Sequence, residues 1–159
     1  MPNHRGFDAL DARIIRTLDR LPGASVLALS RELGVARNTV HARLSRLTDE
    51  GMLSPESTRL SAAALGYPLT AFVALSLSQN AADEAYERLG EMAQVVEVHS
   101  TTGDADLLAR VVAKDTSDLH RVTRAMLELP GVTRTSTTVS LSEVVPYRLA
   151  LILDDLAAG

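Results

Sequence analysis

The 159-residue chain contains no cysteine. That excludes a disulfide framework, cysteine-ligated zinc, iron–sulfur clusters and thiol catalysis, and it fits a reducing compartment such as the cytoplasm. Tryptophan is also absent, and aromatic residues amount to 3%. Stacking of bases on aromatic side chains is therefore not how this chain works. The N-terminus runs from Met1 straight to Arg5 without the apolar core of a signal peptide. One uncharged stretch, Leu60 to Ala82, reaches bilayer-spanning length. It carries Ser61, Pro68, Thr70, Ser76, Ser78, Gln79 and Asn80, and its middle reads as a strand, so no membrane span is expected.

Enzymatic constellations are thin as well. His4, His41, His99 and His120 show no metal-ligand spacing, and there is no nucleophile elbow, phosphate loop or dinucleotide fingerprint. No cofactor, metal or catalytic residue is expected.

What is present is ordinary globular composition, 46% apolar and 23% charged, long enough for one domain or two small ones. The net charge of −4 is unevenly placed: residues 1–60 sum to +2 and residues 61–159 to −6. A weakly basic head on an acidic body hints at nucleic-acid contact at one end.

The head reads as three short helices. Leu10, Ile14, Ile15, Leu18 and Leu21 fall at helical spacing, with Asp8 or Asp11 to start the helix and Pro22-Gly23 to end it. Ser25 caps a second helix with Val26, Leu29 and Leu33 on its apolar side, broken at Gly34. A third runs from about Arg37 to Glu50, with Val40, Leu44 and Leu47 as its buried stripe and Gly51 as its stop. A glycine turn between the second and third helices predicts a helix-turn-helix; a plain helical bundle is the bland alternative. Met52-Leu53 is placed to open a short strand, the root of a wing.

The body alternates. Strands are expected at 70–77, 95–101, 106–112 and 132–141. One helix is expected over 82–92 with Tyr86, Leu89 and Ala93 on one face. A second is capped by Ser117 and carries Leu119, Val122, Met126 and Leu129. The order β-α-β-β-α-β is the ferredoxin-like split unit, whose second sheet face invites a partner copy. The predicted division is 1–54 for DNA binding, 55–68 for a linker with a helical turn at 61–65, 69–146 for the body and 147–159 for a tail. In the tail Leu149, Ile152, Leu153 and Leu156 share a helical face, yet residues 148–153 also suit a strand.

Turning Val40, Leu44 and Leu47 inward leaves Asn38, Ala42, Ser45 and Asp49 on the opposite face of the third helix, with Arg37, His41 and Arg46 on the flanks. An α-helix fits the major groove, where asparagine reads adenine and arginine reads guanine or holds phosphate. Asn38 and His41 are expected to read bases, Ala42 and Ser45 to make smaller contacts, Arg43 and Arg46 to clamp phosphate, and Arg37 to do either. With Thr39, these eight residues form the expected DNA-facing set. Asp49 and Glu50 would repel phosphate and should lie away from it.

These residues resemble the leucine-responsive regulatory protein/AsnC (Lrp/AsnC) family of transcriptional regulators. The likeness lies in Leu10-Asp11, Ile14-Ile15, Leu29-Ser30-Arg31-Glu32-Leu33-Gly34, Thr39-Val40, Arg43, Leu44, Leu47 and Gly51-Met52-Leu53. It continues in Leu65-Gly66, Thr102-Gly103-Asp104, Asp106, Leu129-Pro130-Gly131-Val132, Thr135 and Glu143-Val144. The resemblance implies an α+β chain: an N-terminal winged helix-turn-helix, then a ferredoxin-like ligand-sensing domain. It further implies homodimers assembling to tetramers or octamers, a pseudo-palindromic double-stranded DNA operator, and an amino acid or related metabolite bound between subunits. The family's effector positions carry over to Thr102, Gly103, Asp104, Asp106, Val139 and Ser140. Gly103 would offer backbone N–H groups to a carboxylate, and Asp104 or Asp106 would meet an ammonium. Three positions depart from the family pattern: Ala36 where a capping serine is usual, and Ala105 and Leu107 where aromatics are usual.

Two other functions share this architecture. A sirohaem decarboxylase would need histidines and basic residues around a porphyrin; His99 and His120 are candidates, but the body lacks a basic cluster. A sensing module without DNA binding would not need the basic face of the third helix.

Overall fold

A computed structural model describes residues 6–78 and 82–158. His4, Gln79 and Asn80 lie outside the described residues. The chain forms two compact units, Met1–Pro55 with Val145–Gly159, and Glu56–Val144.

In the first unit α1 (Ala9–Arg20), α2 (Val26–Leu33) and α3 (Arg37–Asp49) pack around Ile14, Leu29, Leu33 and Val40. Asp8 and Asp11 both act at the start of α1. The Asp8 carboxylate accepts from the Leu10 and Asp11 amides, and Asp11 Oδ2 accepts from the Asp8 amide at 3.0 Å, a reciprocal capping box. Ser25 Oγ accepts from the Ala28 amide and starts α2. Gly34 ends it at φ 66°, a left-handed conformation that costs glycine little. The turn is locked by Ser30, whose hydroxyl donates to the Val35 carbonyl at 2.6 Å while the Val35 amide donates to the Ser30 carbonyl at 3.1 Å.

The expected strand at Met52-Leu53 does not form. Both amides fold back onto the Leu47 carbonyl, at 2.9 and 3.3 Å, and finish the end of α3 instead of joining a ladder. The tail resolves as a helix, α6 (Ala150–Ala158), that packs on α1. The face turned to α1 is Ala150, Leu153, Asp154 and Ala157; of the four residues expected to share a helical face, Leu153 lies on it, and Leu149, Ile152 and Leu156 are exposed. Arg16 Nε donates to Asp154 Oδ1 and fixes that rotation.

In the second unit two 3₁₀ turns, Glu56–Arg59 and Ala63–Leu65, lead into β1 (Leu69–Leu77). Then follow α4 (Ala82–Glu91), β2 (Val95–Ser100), β3 (Leu107–Ala113), α5 (Thr116–Leu127) and β4 (Val132–Val139). The sheet order is β2-β3-β1-β4, antiparallel throughout, which is the ferredoxin-like arrangement. Ala71, Val73, Leu75, Leu107, Ala109 and Val111 pack with Leu89 of α4 and with Leu119, Val122 and Met126 of α5. Both helices thus cover one face. By strand alternation Phe72, Ala74, Leu108 and Arg110 lie on the other.

Two local expectations change here. Ala85 and Leu89 are the buried positions of α4, while Tyr86 is exposed. Asp115, not Ser117, caps α5: its carboxylate accepts from the Asp118 amide at 2.8 Å, and Ser117 is already helical.

Candidate DNA-binding face and ligand loop

The first turn of α3 is set by Ala36, which offers no side-chain cap. Arg37, Asn38, His41, Ala42 and Ser45 are all exposed on α3, and Thr39 is half-buried. They form one continuous stripe along α3. The acidic end, Asp49 and Glu50, is exposed as well.

Arg43 and Arg46 behave differently from the expectation. Arg43 Nη1 lies 2.6 Å from Asp8 Oδ2 and 3.2 Å from Asp11 Oδ2, and Arg46 Nη2 lies 2.6 Å from Asp11 Oδ2. Both guanidiniums are half-buried and committed to carboxylates of the α1 capping box. Asp11 is fully buried, and its Oδ1 has no hydrogen-bond partner among the described residues. The hydrogen bond from Arg43 holds the Asp8 carboxyl below the usual carboxylate range, and Asp8 in turn raises the Arg43 guanidinium. Arg31, exposed in the last turn of α2, and Arg37 make no ion pair among the described residues. Arg31 went unremarked as a DNA contact in the sequence; only its place in the last turn before Gly34 could have drawn attention to it.

The other candidate site is the β2–β3 hairpin. Thr102, Gly103 and Asp104 are exposed, and Gly103 takes φ 124°. Thr101 Oγ1 donates to the Ala105 carbonyl at 2.7 Å, and the Thr101 amide donates to the Asp106 carbonyl at 2.9 Å. Asp106 is anchored: its Oδ2 accepts from the Leu77 amide at 2.7 Å, and its own amide donates to the Leu75 carbonyl at 3.0 Å. A cleft of about 180 Å³ opens beside it, lined by Leu77, Ser78, Ala82, Tyr86, Ser100, Thr101 and Asp106. Tyr86 is there because it is turned out of the core. Arg134 on β4 donates to the Asp104 carbonyl at 3.4 Å and brings a guanidinium to the hairpin. Neither residue was singled out for this site from the sequence.

Val139 and Ser140 do not join this cleft. Val139 pairs with Ala71, and the Ser140 amide donates to the Thr70 carbonyl, at the start of β1. Asp106 bonds to Leu77 at its end. Seven residues at ~3.3 Å each put the two groups about 23 Å apart along the strand. His99 and His120 do not converge either. His99 pairs with Leu108 on the open sheet face, its Nε2 2.7 Å from Glu97 Oε1, whereas His120 is exposed on α5 on the other side.

Residues 7–54 match the family described as winged helix-turn-helix DNA-binding, and residues 70–150 match the Lrp/AsnC ligand binding domain. The chain belongs to the Lrp/AsnC family of transcriptional regulators. Its relatives include the HTH-type transcriptional regulator FL11 of Pyrococcus horikoshii, 28% identical over 135 residues, or 85% of this chain and 89% of that one. They also include the HTH-type transcriptional regulator Ptr1 of Methanocaldococcus jannaschii, 30% identical over 72% of this chain and 78% of that one. Among solved structures, E. coli AsnC superposes with a TM-score of 0.82 at 22% identity, covering 91% of this chain and 99% of its own. A transcriptional regulator of Neisseria meningitidis, solved with L-Met, gives 0.79 at 21% identity over 92% and 99%. Those two likenesses establish the fold. All eight expected DNA-facing residues of this Lrp/AsnC regulator fall in the DNA-binding match, and all six expected effector residues fall in the ligand-domain match. Among the described residues no helix is long and apolar enough to cross a membrane.

Proposed function

We propose that this regulator reads a pseudo-palindromic operator through the exposed stripe of α3. Asn38 and His41 meet base edges, Ala42 and Ser45 make closer apolar and hydroxyl contacts, and Thr39 flanks them in the first turn. The observation that carries this assignment is the commitment of Arg43 and Arg46 to Asp8 and Asp11. With those two occupied, phosphate contact falls to the uncommitted Arg31 and Arg37, and Arg43 and Arg46 set the pose of α3. Such a protein works in the cytoplasm, on chromosomal DNA.

The second half of the proposal concerns the signal. An amino acid binds at residues 102–106, its carboxylate meeting the Gly103 backbone and Arg134 and its ammonium meeting Asp104 or Asp106. The distance of Val139 and Ser140 from that hairpin supports a site shared between copies, since one small molecule spans no 23 Å gap (about seven residues of strand). Copies pair through the sheet face bearing Phe72 and Leu108 and assemble further to tetramers or octamers. The amino acid changes DNA binding by favouring one assembly over another. The decarboxylase reading has no observation in its favour, and the relatives are named as regulators.

The test is a titration of the full chain against duplex DNA from upstream of its own gene and against a scrambled duplex. Each titration is run with and without a pool of the twenty amino acids. Preference for the upstream duplex and a shift with the pool are expected. Equal binding to both duplexes would overturn the base-reading assignment, and no shift with any amino acid would overturn the signal.

A further inference from the structure

A cleft of about 280 Å³ lies within the first unit, walled by α1, α2 and α6, and none of its lining residues belongs to the sites described above. Arg13, Arg16, Thr17 and Arg20 line it from α1, within about 100° of one another around the helix. Glu32 of α2 and Asp154 of α6 add two carboxylates. Arg16 is committed, since it donates to both oxygens of Asp154 and to Asp19. Arg13 and Arg20 have no such partner. Arg20 folds back one turn, and its Nη2 donates to Thr17 Oγ1 at 3.2 Å. The Thr17 hydroxyl donates to the Arg13 carbonyl at 2.8 Å, and Arg13 Nη2 donates to the Leu33 carbonyl, at the end of α2, at 3.2 Å. All these acceptors are neutral, and neither Arg13 nor Arg20 makes an ion pair among the described residues.

We infer that this cleft binds the phosphate group of a small metabolite between Arg13 and Arg20. Two like charges are held toward one cleft by bonds to neutral oxygens instead of spreading apart into water. Each guanidinium carries five N–H donors, and the described residues take one bond from each. The planar fork of arginine suits a phosphate, to which it can donate twice. Two guanidiniums also match the charge of a phosphate monoester, about −1.5 to −2 at neutral pH, where a single carboxylate would offset one. Glu32 makes no ion pair among the described residues and offers an acceptor for a hydroxyl or amine elsewhere on the ligand. The volume is close to the lower end of small-molecule sites, about 300 Å³. A cleft between three helices suits such a ligand better than the backbone of a duplex. The site gives the DNA-binding unit an input of its own, separate from the hairpin.

The test uses the full chain and inorganic phosphate as the probe. Thermal unfolding is followed by circular dichroism against phosphate concentration, with sodium chloride and sodium acetate at matched ionic strength and pH. Phosphate is expected to raise the melting point saturably, beyond chloride and beyond acetate. Each variant is read against its own melting point in chloride, so a change in basal stability does not count. Arg20→Gln leaves the Arg13–Leu33 bond in place and should weaken the apparent phosphate affinity about tenfold or more. Arg13→Gln with Arg20→Gln should abolish the shift, and Arg37→Ala on α3 should keep it. A phosphate shift no larger than that of chloride, or undiminished by Arg20→Gln, would overturn the site. Loss of the shift in Arg37→Ala would place phosphate on α3 instead. An equal shift with acetate would overturn the choice of phosphate. The paired glutamine variant is also titrated with duplex DNA across a salt series. A flattened slope there would assign Arg13 and Arg20 to the DNA backbone and overturn the small-ligand site.

Discussion

Arg43 reaches from the middle of α3 to the start of α1, where its guanidinium lies 2.6 Å from the carboxylate of Asp8. The recognition helix is thereby tied to the helix behind it by a residue whose charge alone would suggest a DNA contact. The same capping box holds Arg46 through Asp11.

Arg46→Ala is expected to destabilise the protein by about 1–3 kcal/mol, because it leaves the buried Asp11 carboxylate with its longer contact to Arg43 as the one ion pair, beside the bond from the Asp8 amide. Urea unfolding followed by circular dichroism checks this. A midpoint equal to that of the parent chain would show that the Arg46–Asp11 pair carries no stability.

Acid should loosen the same junction. The Asp8 carboxyl sits below its usual value because Arg43 donates to it. Its contribution is therefore present above the unfolded value of about 3.9 and is lost as pH falls through the lower folded value. Asp8→Asn keeps a capping oxygen but drops the charge. The parent chain should be more stable than the variant at neutral pH, and the gap should close as pH falls below 4 (about the unfolded aspartate value). A gap independent of pH would contradict the assignment.

Local structure of this kind was legible from short range. Asp8, Asp11, Ser25 and Gly34 announce where helices start and stop, and the succession of helices and strands along the chain followed from alternation, helical spacing and turn residues. The Arg43–Asp8 and Arg46–Asp11 pairs were not legible, since their partners lie 35 residues apart and helical periodicity shows only that both arginines flank the buried stripe. Ser117 and Asp115 compete for one cap in the run Asp115-Thr116-Ser117-Asp118, and the extended backbone at Asp115, φ −159°, decides it. The strand at Met52-Leu53 was lost because its amides had a nearer acceptor in the Leu47 carbonyl. The face of α6 that meets α1 was not legible, because beside Leu153 it uses alanines and an aspartate, which apolar spacing overlooks.

The uncapped start of α3 invites repair. Ala36→Ser supplies an acceptor for the free amides of the first turn and should stabilise the protein by about 1 kcal/mol. Ser30→Ala removes the hydroxyl that closes the turn onto Val35 and should cost about the same. Thermal unfolding of both variants checks the pair, and melting points equal to that of the parent chain would contradict both.

Asp106→Asn separates structure from sensing. The amide oxygen can still accept from Leu77, so stability should hold, whereas the charge that would meet a ligand ammonium is gone. DNA affinity without amino acid should stay near that of the parent chain, and the amino-acid-induced shift should weaken. An undiminished shift would remove Asp106 from the site.

The most direct test is the salt dependence of operator binding by fluorescence anisotropy, comparing Arg37→Ala with Arg43→Ala. Loss of one phosphate contact flattens the log–log slope by about one unit. The account predicts that flattening for Arg37→Ala, and for Arg43→Ala an unchanged slope with reduced protein stability. An unchanged slope for Arg37→Ala beside a flattened one for Arg43→Ala would contradict it, and Arg43 would then be the phosphate contact.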